Sequence, residues 1–325
     1  MVHDTTQPAA GSGSGVRTAP SPGSPGSPRG PRPATRRDRR RGSPVTLFAV
    51  PALVWYLLFL LGPLVAMFYI SGLHWPGMLA PRSWTGWDNF STVLGDDLFW
   101  DAVRNSAVQI GVVLPVMIVT AFMTGYYLTL RPRGHRLLRI ILFTPALISA
   151  SAKAMVAYSI LAPNGLLNGM LGDIGLDSVT RAWLADTDTA LACIMAIDLW
   201  NGIGFTAVLF AARLGSVPGE IYEAAELDGT GHWRRMWRIA FPVTKDYVGV
   251  TTMLQFLWIL FSSAQNVLLL TQGGPGNATT NLSFLVYTKA FVQSDLGYSQ
   301  AAGVLLFLAG LLGMLAIRRL FRQNY

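Results

Sequence analysis

The chain has 325 residues, of which 51% are hydrophobic and only 13% charged, with a formal net charge of +8. Soluble domains carry about 25% charge, so this balance excludes an ordinary soluble protein and points to apolar surroundings. A lone cysteine, Cys193, excludes an intrachain disulfide framework or a cysteine metal cage, and the four histidines have no metal-ligand spacing.

Residues 1–44 form a separate compositional zone: GSGSG, SPGSPGSPRGPRP, then RRDRRR. Proline, glycine and serine with almost no large apolar groups bury too little surface to offset chain entropy, so a disordered tail is expected. The arginine run at 36–41 has the composition of a nucleic-acid patch or of a twin-arginine export signal. It stands directly before a long apolar run, however, and there it reads as a cytoplasmic anchor, with no nucleic-acid partner. The apolar run from Val45 to Ile70 is too long for the core of a cleaved signal peptide.

From residue 45 onward the apolar residues fall in blocks. Blocks of about 18 or more read as membrane spans, because roughly 20 residues at 1.5 Å each cross the hydrocarbon layer. Spans are expected at about 46–71, 105–130, 138–161, 189–213, 247–271 and 299–320, with Pro63, Pro115 and Pro145 inside them. The predicted fold is an all-α membrane protein: a tail over 1–44, then a domain of six transmembrane helices over 45–325.

Charge sets the orientation. Twenty Lys and Arg lie in the tail, loop 131–139, segment 213–245 and the C-terminus, against four (Arg82, Arg104, Arg181 and Lys289) in the other connections. Without the tail the bias is still 12 to 4. Both termini are expected in the cytoplasm of a multi-pass protein of the cell membrane.

The cytoplasmic connection between spans four and five, RLGSVPGEIYEAAELDGTGHWRRMWRIAFPV, carries clear helix signals. Pro218 suits a first turn, Glu220 and Glu223 favour the positive dipole end, and Asp228-Gly229 breaks the helix. A second short helix is expected over about 231–239, ending before Pro242. Ile221, Ala224 and Ala225 share one face of the first helix. In the second, Trp233, Met236 and Trp237 are expected opposite Arg234, Arg235 and Arg238. The residues alone leave two readings open: a helix lying in the headgroup layer and touching membrane lipid, or a docking surface for another protein.

The spacing Glu-Ala-Ala, three residues, Gly, nine residues, Ile-x-Phe-Pro resembles the EAA loop of permease subunits of bacterial binding-protein-dependent ABC importers. The matching positions are Glu223, Ala224, Ala225, Gly229, Ile239 and Pro242. Phe241 stands where relatives more often have leucine, and Asp246 where many have a second proline. The resemblance implies a coupling helix that fits a groove on an ATPase subunit, with Glu220, Tyr222, Glu223, Ala224, Ala225, Asp228 and Gly229 as its coupling residues. A second stretch, LLLTQGGPGNATTNLSFLVYTKAF at 268–291, resembles the extracytoplasmic segment of carbohydrate-importer permeases of the maltose and glycerol-phosphate type. By itself, Gly-Gly-Pro-Gly asks only for a tight turn.

Polar side chains inside spans are costly and tend to face a cavity or a partner. Gln255, Ser262 and Asn266 recur at helical spacing in the fifth span with Gln265 beside them, and Asp198 and Asn201 lie three apart in the fourth. Amides, hydroxyls and the nearby Trp200 suit a sugar pathway, although the same groups also join helices by hydrogen bonds. Lys153 and Asp198 both lie about 12–14 Å inside the outer ends of their spans, a match in depth that allows an intramembrane ion pair. The other reading has Lys153 snorkelling outward and Asp198 capped by local donors.

No catalytic constellation and no GxxxxGK[ST] phosphate loop is visible, so the chain is expected not to be an enzyme and to bind no cofactor or metal of its own. The resemblance implies one half of the pathway of an ATP-driven sugar importer. Its partners would be a second homologous permease, a cytoplasmic ABC ATPase dimer carrying ATP and Mg, and an extracytoplasmic solute-binding protein. A permease for a non-sugar ligand and a self-contained ion-coupled carrier are the alternatives; the latter should show internal repeats, and none is evident.

Overall fold

The computed structural model describes residues 45–77 and 79–322, with side chains from residue 49 on. The expected tail, 1–44, lies outside the described residues. Six helices are long and apolar enough to cross a membrane: Ala49–Ser71, Asp97–Thr129, Ala150–Asp173, Ala190–Leu214, Lys245–Leu270 and Leu296–Phe321. They are called the first to sixth spans below. The only strands among the described residues, Leu73–His74 and Ser83–Trp84, pair antiparallel in the connection after the first span.

Two spans depart from their expected bounds, and the fifth keeps its bounds but is interrupted. The second begins at Asp97, eight residues earlier than the hydropathy suggests, because Asp96 caps it: its Oδ1 accepts from the Leu98 amide at 2.9 Å. Its added turns bury Phe99 and Ala102 against Tyr298, Ala301 and Ala302 of the sixth span. The third is not one helix over 138–161. His135–Leu147 ends at Ile148, whose ψ of 139° is extended, and Ser149 restarts the chain by accepting from the Ala152 amide. The fifth is interrupted at Ser263, between Lys245–Ser262 and Ala264–Leu270. A further apolar helix, Leu282–Val292, is too short to span and is capped by Asn281, which accepts from the Phe284 amide at 3.0 Å.

With lipid tails as apolar as leucine, close backbone approach rather than water exclusion holds such helices together. The second and fourth spans form the main pair. A Cβ on Gly125 would lie 2.7 Å from the Phe210 Cβ, and a Cβ on Gly204 would run into the carbonyl oxygen of Leu142 in His135–Leu147. The sixth span packs on the fifth and on the second half of the first, where Phe68 and Phe307 meet edge-on at 6.3 Å. Trp55, Leu58, Phe59 and Val65 of the first span stay exposed, the surface that hydrocarbon would cover.

Candidate functional site: the connection between the fourth and fifth spans and a buried polar node

The connection between the fourth and fifth spans folds as two short helices, Gly219–Leu227 and His232–Arg235, the latter running on as a π-helical turn over Met236–Ala240. Pro218 sits at the N-cap in an extended conformation. The first helix closes with a Schellman turn: the Thr230 amide donates to the Ala225 carbonyl at 3.0 Å and the Gly229 amide to the Glu226 carbonyl at 3.0 Å. Gly229 takes φ +69°, a left-handed conformation that a side chain resists, which is the physical reason for glycine there. The Thr230 hydroxyl adds a bond to the same Ala225 carbonyl.

This helix has two unlike faces. Ala225 is buried and Tyr222 half-buried against the bundle, whereas Glu220, Glu223, Ala224 and Asp228 are exposed. Leu227 is 90% exposed and Trp233 64% exposed, so apolar groups flank the acidic ones on the free side. Burial, with the Tyr126 phenol beside it, raises the Tyr222 hydroxyl above its ordinary value against the pull of Arg213, so it remains a neutral donor.

The second helix is fixed to the spans by aromatic rings. Trp237 lies 5.8 Å and Phe241 5.6 Å from Phe122 of the second span, and Phe122 in turn meets Phe210 of the fourth edge-on at 5.4 Å. Met236 and Ala240 are buried in the same cluster. Arg235 departs from the sequence expectation. Arg235 does not share the solvated face with Arg234 and Arg238: it is only 7% exposed, pairing with Glu226 at 3.3 Å and donating to the Thr230 carbonyl at 3.3 Å. Acceptors gathered at the helix break draw it inward.

Deep between the spans, Asp198 is fully buried. Its Oδ2 accepts from Gln109 Nε2 at 2.6 Å and Ser263 Oγ at 2.9 Å, and its Oδ1 accepts from Asn266 Nδ2 at 2.6 Å. Asn281 donates to the Gln109 side-chain carbonyl at 3.3 Å, joining the cap of Leu282–Val292 to the node. One carboxylate thus ties the second, fourth and fifth spans together, and Ser263 occupies the interruption of the fifth.

Of the two readings of Lys153 and Asp198, the ion pair is not formed, and Asp198 is capped by local donors. No ammonium lies within 4.0 Å of Asp198 among the described residues, because neutral donors occupy both of its oxygens. Lys153 is half-buried on the segment after the Ser149 restart, which the sequence treated as continuous helix. The fifth-span candidates divide as well. Gln255 and Asn266 are buried, as is Asn201 of the fourth span, whereas Ser262 and Gln265 are exposed. Gln109, Ser263 and Asn281 were not singled out from the sequence. Gln109 was accessible to the argument that found Asp198, being a solitary amide in a long apolar stretch.

At the end of the bundle where the Gly273–Gly276 turn lies, a polar cavity of about 470 Å³ is lined by Asp101, Arg104, Asn105, Asp188 and Asn277. Asn105 donates to the Asn277 and Thr280 carbonyls, fixing the 272–281 loop to the second span. Nearby, Asp96 accepts from the Tyr298 hydroxyl at 2.8 Å and lies 3.7 Å from Lys289. Burial acts to raise the Asp96 carboxyl, but the Tyr298 and Leu98 hydrogen bonds and the Lys289 charge hold it below its ordinary value.

Known proteins share this architecture. The chain is 33% identical over 301 residues to the diacetylchitobiose uptake system permease protein NgcF of Streptomyces coelicolor, covering 84% of this chain and 83% of that protein. It is 31% identical over 283 residues to the probable ABC transporter permease protein YurN of Bacillus subtilis, covering 86% and 96%. Its fold matches a chain of a bacterial alginate ABC transporter, crystallised in complex with an alginate pentasaccharide-bound periplasmic protein. That match has a TM-score of 0.75 at 21% identity and covers 86% of this chain and 96% of the other. The family model for binding-protein-dependent transport system inner membrane components matches residues 99–324, and the chain belongs to that family.

Proposed function

We propose that this permease forms half of the membrane pathway of an ATP-driven sugar importer, with both termini and the 219–243 connection in the cytoplasm. A second, homologous permease supplies the other half. A separate ATPase dimer carries ATP and Mg, and an extracytoplasmic binding protein delivers the substrate. The orientation rests on the Lys and Arg bias between connections. The sugar class rests on the diacetylchitobiose relative, supported by the alginate transporter that shares the fold.

The observation that carries the mechanism is the division of labour in the connection. Gly219–Leu227 offers Glu220, Glu223, Ala224 and Leu227 outward for a partner, while Trp237 and Phe241 fix the adjoining turn to Phe122. A push on the exposed helix therefore reaches the second and fourth spans through packed rings rather than a flexible loop. Asp198 passes the movement to the fifth span, whose exposed Ser262 and Gln265 face the pathway with Trp200. At the outer end, the cavity around Asp101, Arg104 and Asp188 receives substrate from the binding protein docked on the 72–104, 162–188 and 272–298 connections.

The test is reconstitution of the tagged chain with its co-purifying subunits in proteoliposomes. ATP hydrolysis is then measured with the binding protein across a panel of di- and oligosaccharides, polyamines and phosphate esters. Stimulation by a saccharide alone supports the reading; stimulation only by a charged non-sugar solute overturns the substrate class.

A further inference from the structure

A second cavity lies at the opposite end of the bundle from Gly273–Gly276. It encloses about 780 Å³, within the range of small-molecule sites, and is lined by Arg131, Arg136, Arg139 and Arg235 together with His135, Tyr126 and Tyr222. Among the described residues the lining includes no carboxylate, and Glu226 reaches only Arg235 from outside it. Three polar atoms of the lining are buried without a hydrogen-bond partner among the described residues: Arg235 Nε, the Tyr126 hydroxyl and the Tyr222 hydroxyl. Arg235 and Tyr126 are both more than nine-tenths buried. A buried donor without an acceptor costs roughly 1–3 kcal/mol, and three in one cationic cavity mark a place shaped for an anion.

We propose that this cavity binds a phosphate-bearing anion, either a phospholipid headgroup or a soluble phosphate ester. Guanidinium forks match phosphate oxygens, and the acceptor oxygens of a phosphate offer partners to Arg235 Nε and the tyrosine hydroxyls. Arg136 and Arg139 at the exposed rim attract the anion. Bound there, it bridges the end of the second span (Tyr126), the helix starting at His135 and the 219–240 connection (Tyr222 and Arg235). Occupancy therefore stiffens the joint between the docking helix and the spans. The site stands on the cavity alone and does not depend on the importer reading.

The test uses the full chain with its co-purifying subunits in neutral detergent. It is titrated calorimetrically with short-chain phosphatidylglycerol in the same micelles, short-chain phosphatidylcholine, and glycerol phosphate in water. Saturable binding of phosphatidylglycerol alone assigns a lipid headgroup; equal binding of glycerol phosphate assigns a soluble ester. Either should weaken about fivefold for each of Arg136→Gln and Arg139→Gln, and about tenfold in Tyr222→Phe, which keeps the ring and charge but loses the donor. Arg318→Gln with Arg319→Gln removes equal charge elsewhere and should change nothing. The proposal is overturned if no anion binds saturably, or if the Arg318/Arg319 pair matters as much as Arg136/Arg139. It is also overturned if the cavity variants lose the ATPase subunit while anion binding is unchanged, since the arginines would then be receiving an acidic protein surface.

Discussion

The ring of Trp237 lies 5.8 Å from that of Phe122, and this contact joins the connecting segment to the second span. Trp237→Ala should cost on the order of 2 kcal/mol, below the range for fully buried tryptophans because this one is half-buried. Its larger effect should be on transmission: the ATPase subunit is still retained, but solute uptake falls relative to ATP hydrolysis. The ratio of the two rates in proteoliposomes checks this.

Asp198 accepts from three donors and has no cation within ion-pair distance among the described residues. Asp198→Ala leaves Gln109, Ser263 and Asn266 without their acceptor, at about 1–3 kcal/mol for each orphaned group. Asp198→Asn is also expected to be damaging, because an amide turns an NH₂ toward one of those donors. Lys153→Met should be mild by comparison. Thermal unfolding of the purified variants, followed by fluorescence size exclusion, separates the three. Equal damage from Lys153→Met and Asp198→Ala would restore the ion-pair reading.

Gly229 has φ +69° in the turn that closes Gly219–Leu227. Gly229→Ala is expected to cost about 1–2 kcal/mol locally and to weaken ATPase retention, whereas Gly229→Asn should be better tolerated because asparagine visits this conformation more readily. Retention of the ATPase through stepwise salt washes gives the ranking.

The Asp96 carboxyl is held below its ordinary value, so its stabilising contribution is present above the unfolded pKa of about 3.9 and is lost as pH falls through the lower folded value. Thermal stability should therefore hold from neutrality to about pH 5 and fall below that. Asp96→Asn keeps a competent helix cap but removes the charge facing Lys289 and Tyr298. It should lower stability at neutral pH and flatten the acid limb of the melting curve.

The spans and the two-helix form of the 219–240 connection were legible because their signals are local. Hydropathy blocks, a proline at a helix start and Asp-Gly at its end each act within a few residues. The early start of the second span was hidden by DLFWDAVRNS, whose polar residues mask the buried Phe99 and Ala102. The third-span break was obscured because Ile148 and Ser149 look apolar and small, and only the Ser149 cap reveals the restart. Pairing depended on information beyond one helix. Matching depth drew Lys153 toward Asp198, yet which groups meet is set by how the second, fourth and fifth spans rotate, and that rotation brought Gln109, Ser263 and Asn266 instead. The inward turn of Arg235 likewise depends on Glu226 and Thr230 across the helix break.

The most direct measurement is co-purification of the tagged chain from gently solubilised membranes, native beside a Glu223→Arg, Ala224→Arg variant. Both positions lie on the free face of Gly219–Leu227, so folding is left intact. The account predicts that the native chain brings down a second permease and an ATPase subunit, and that the variant keeps the permease but loses the ATPase. A variant that retains the ATPase undiminished would contradict the docking role of this helix. A native chain that brings down no ATPase would contradict the importer reading itself.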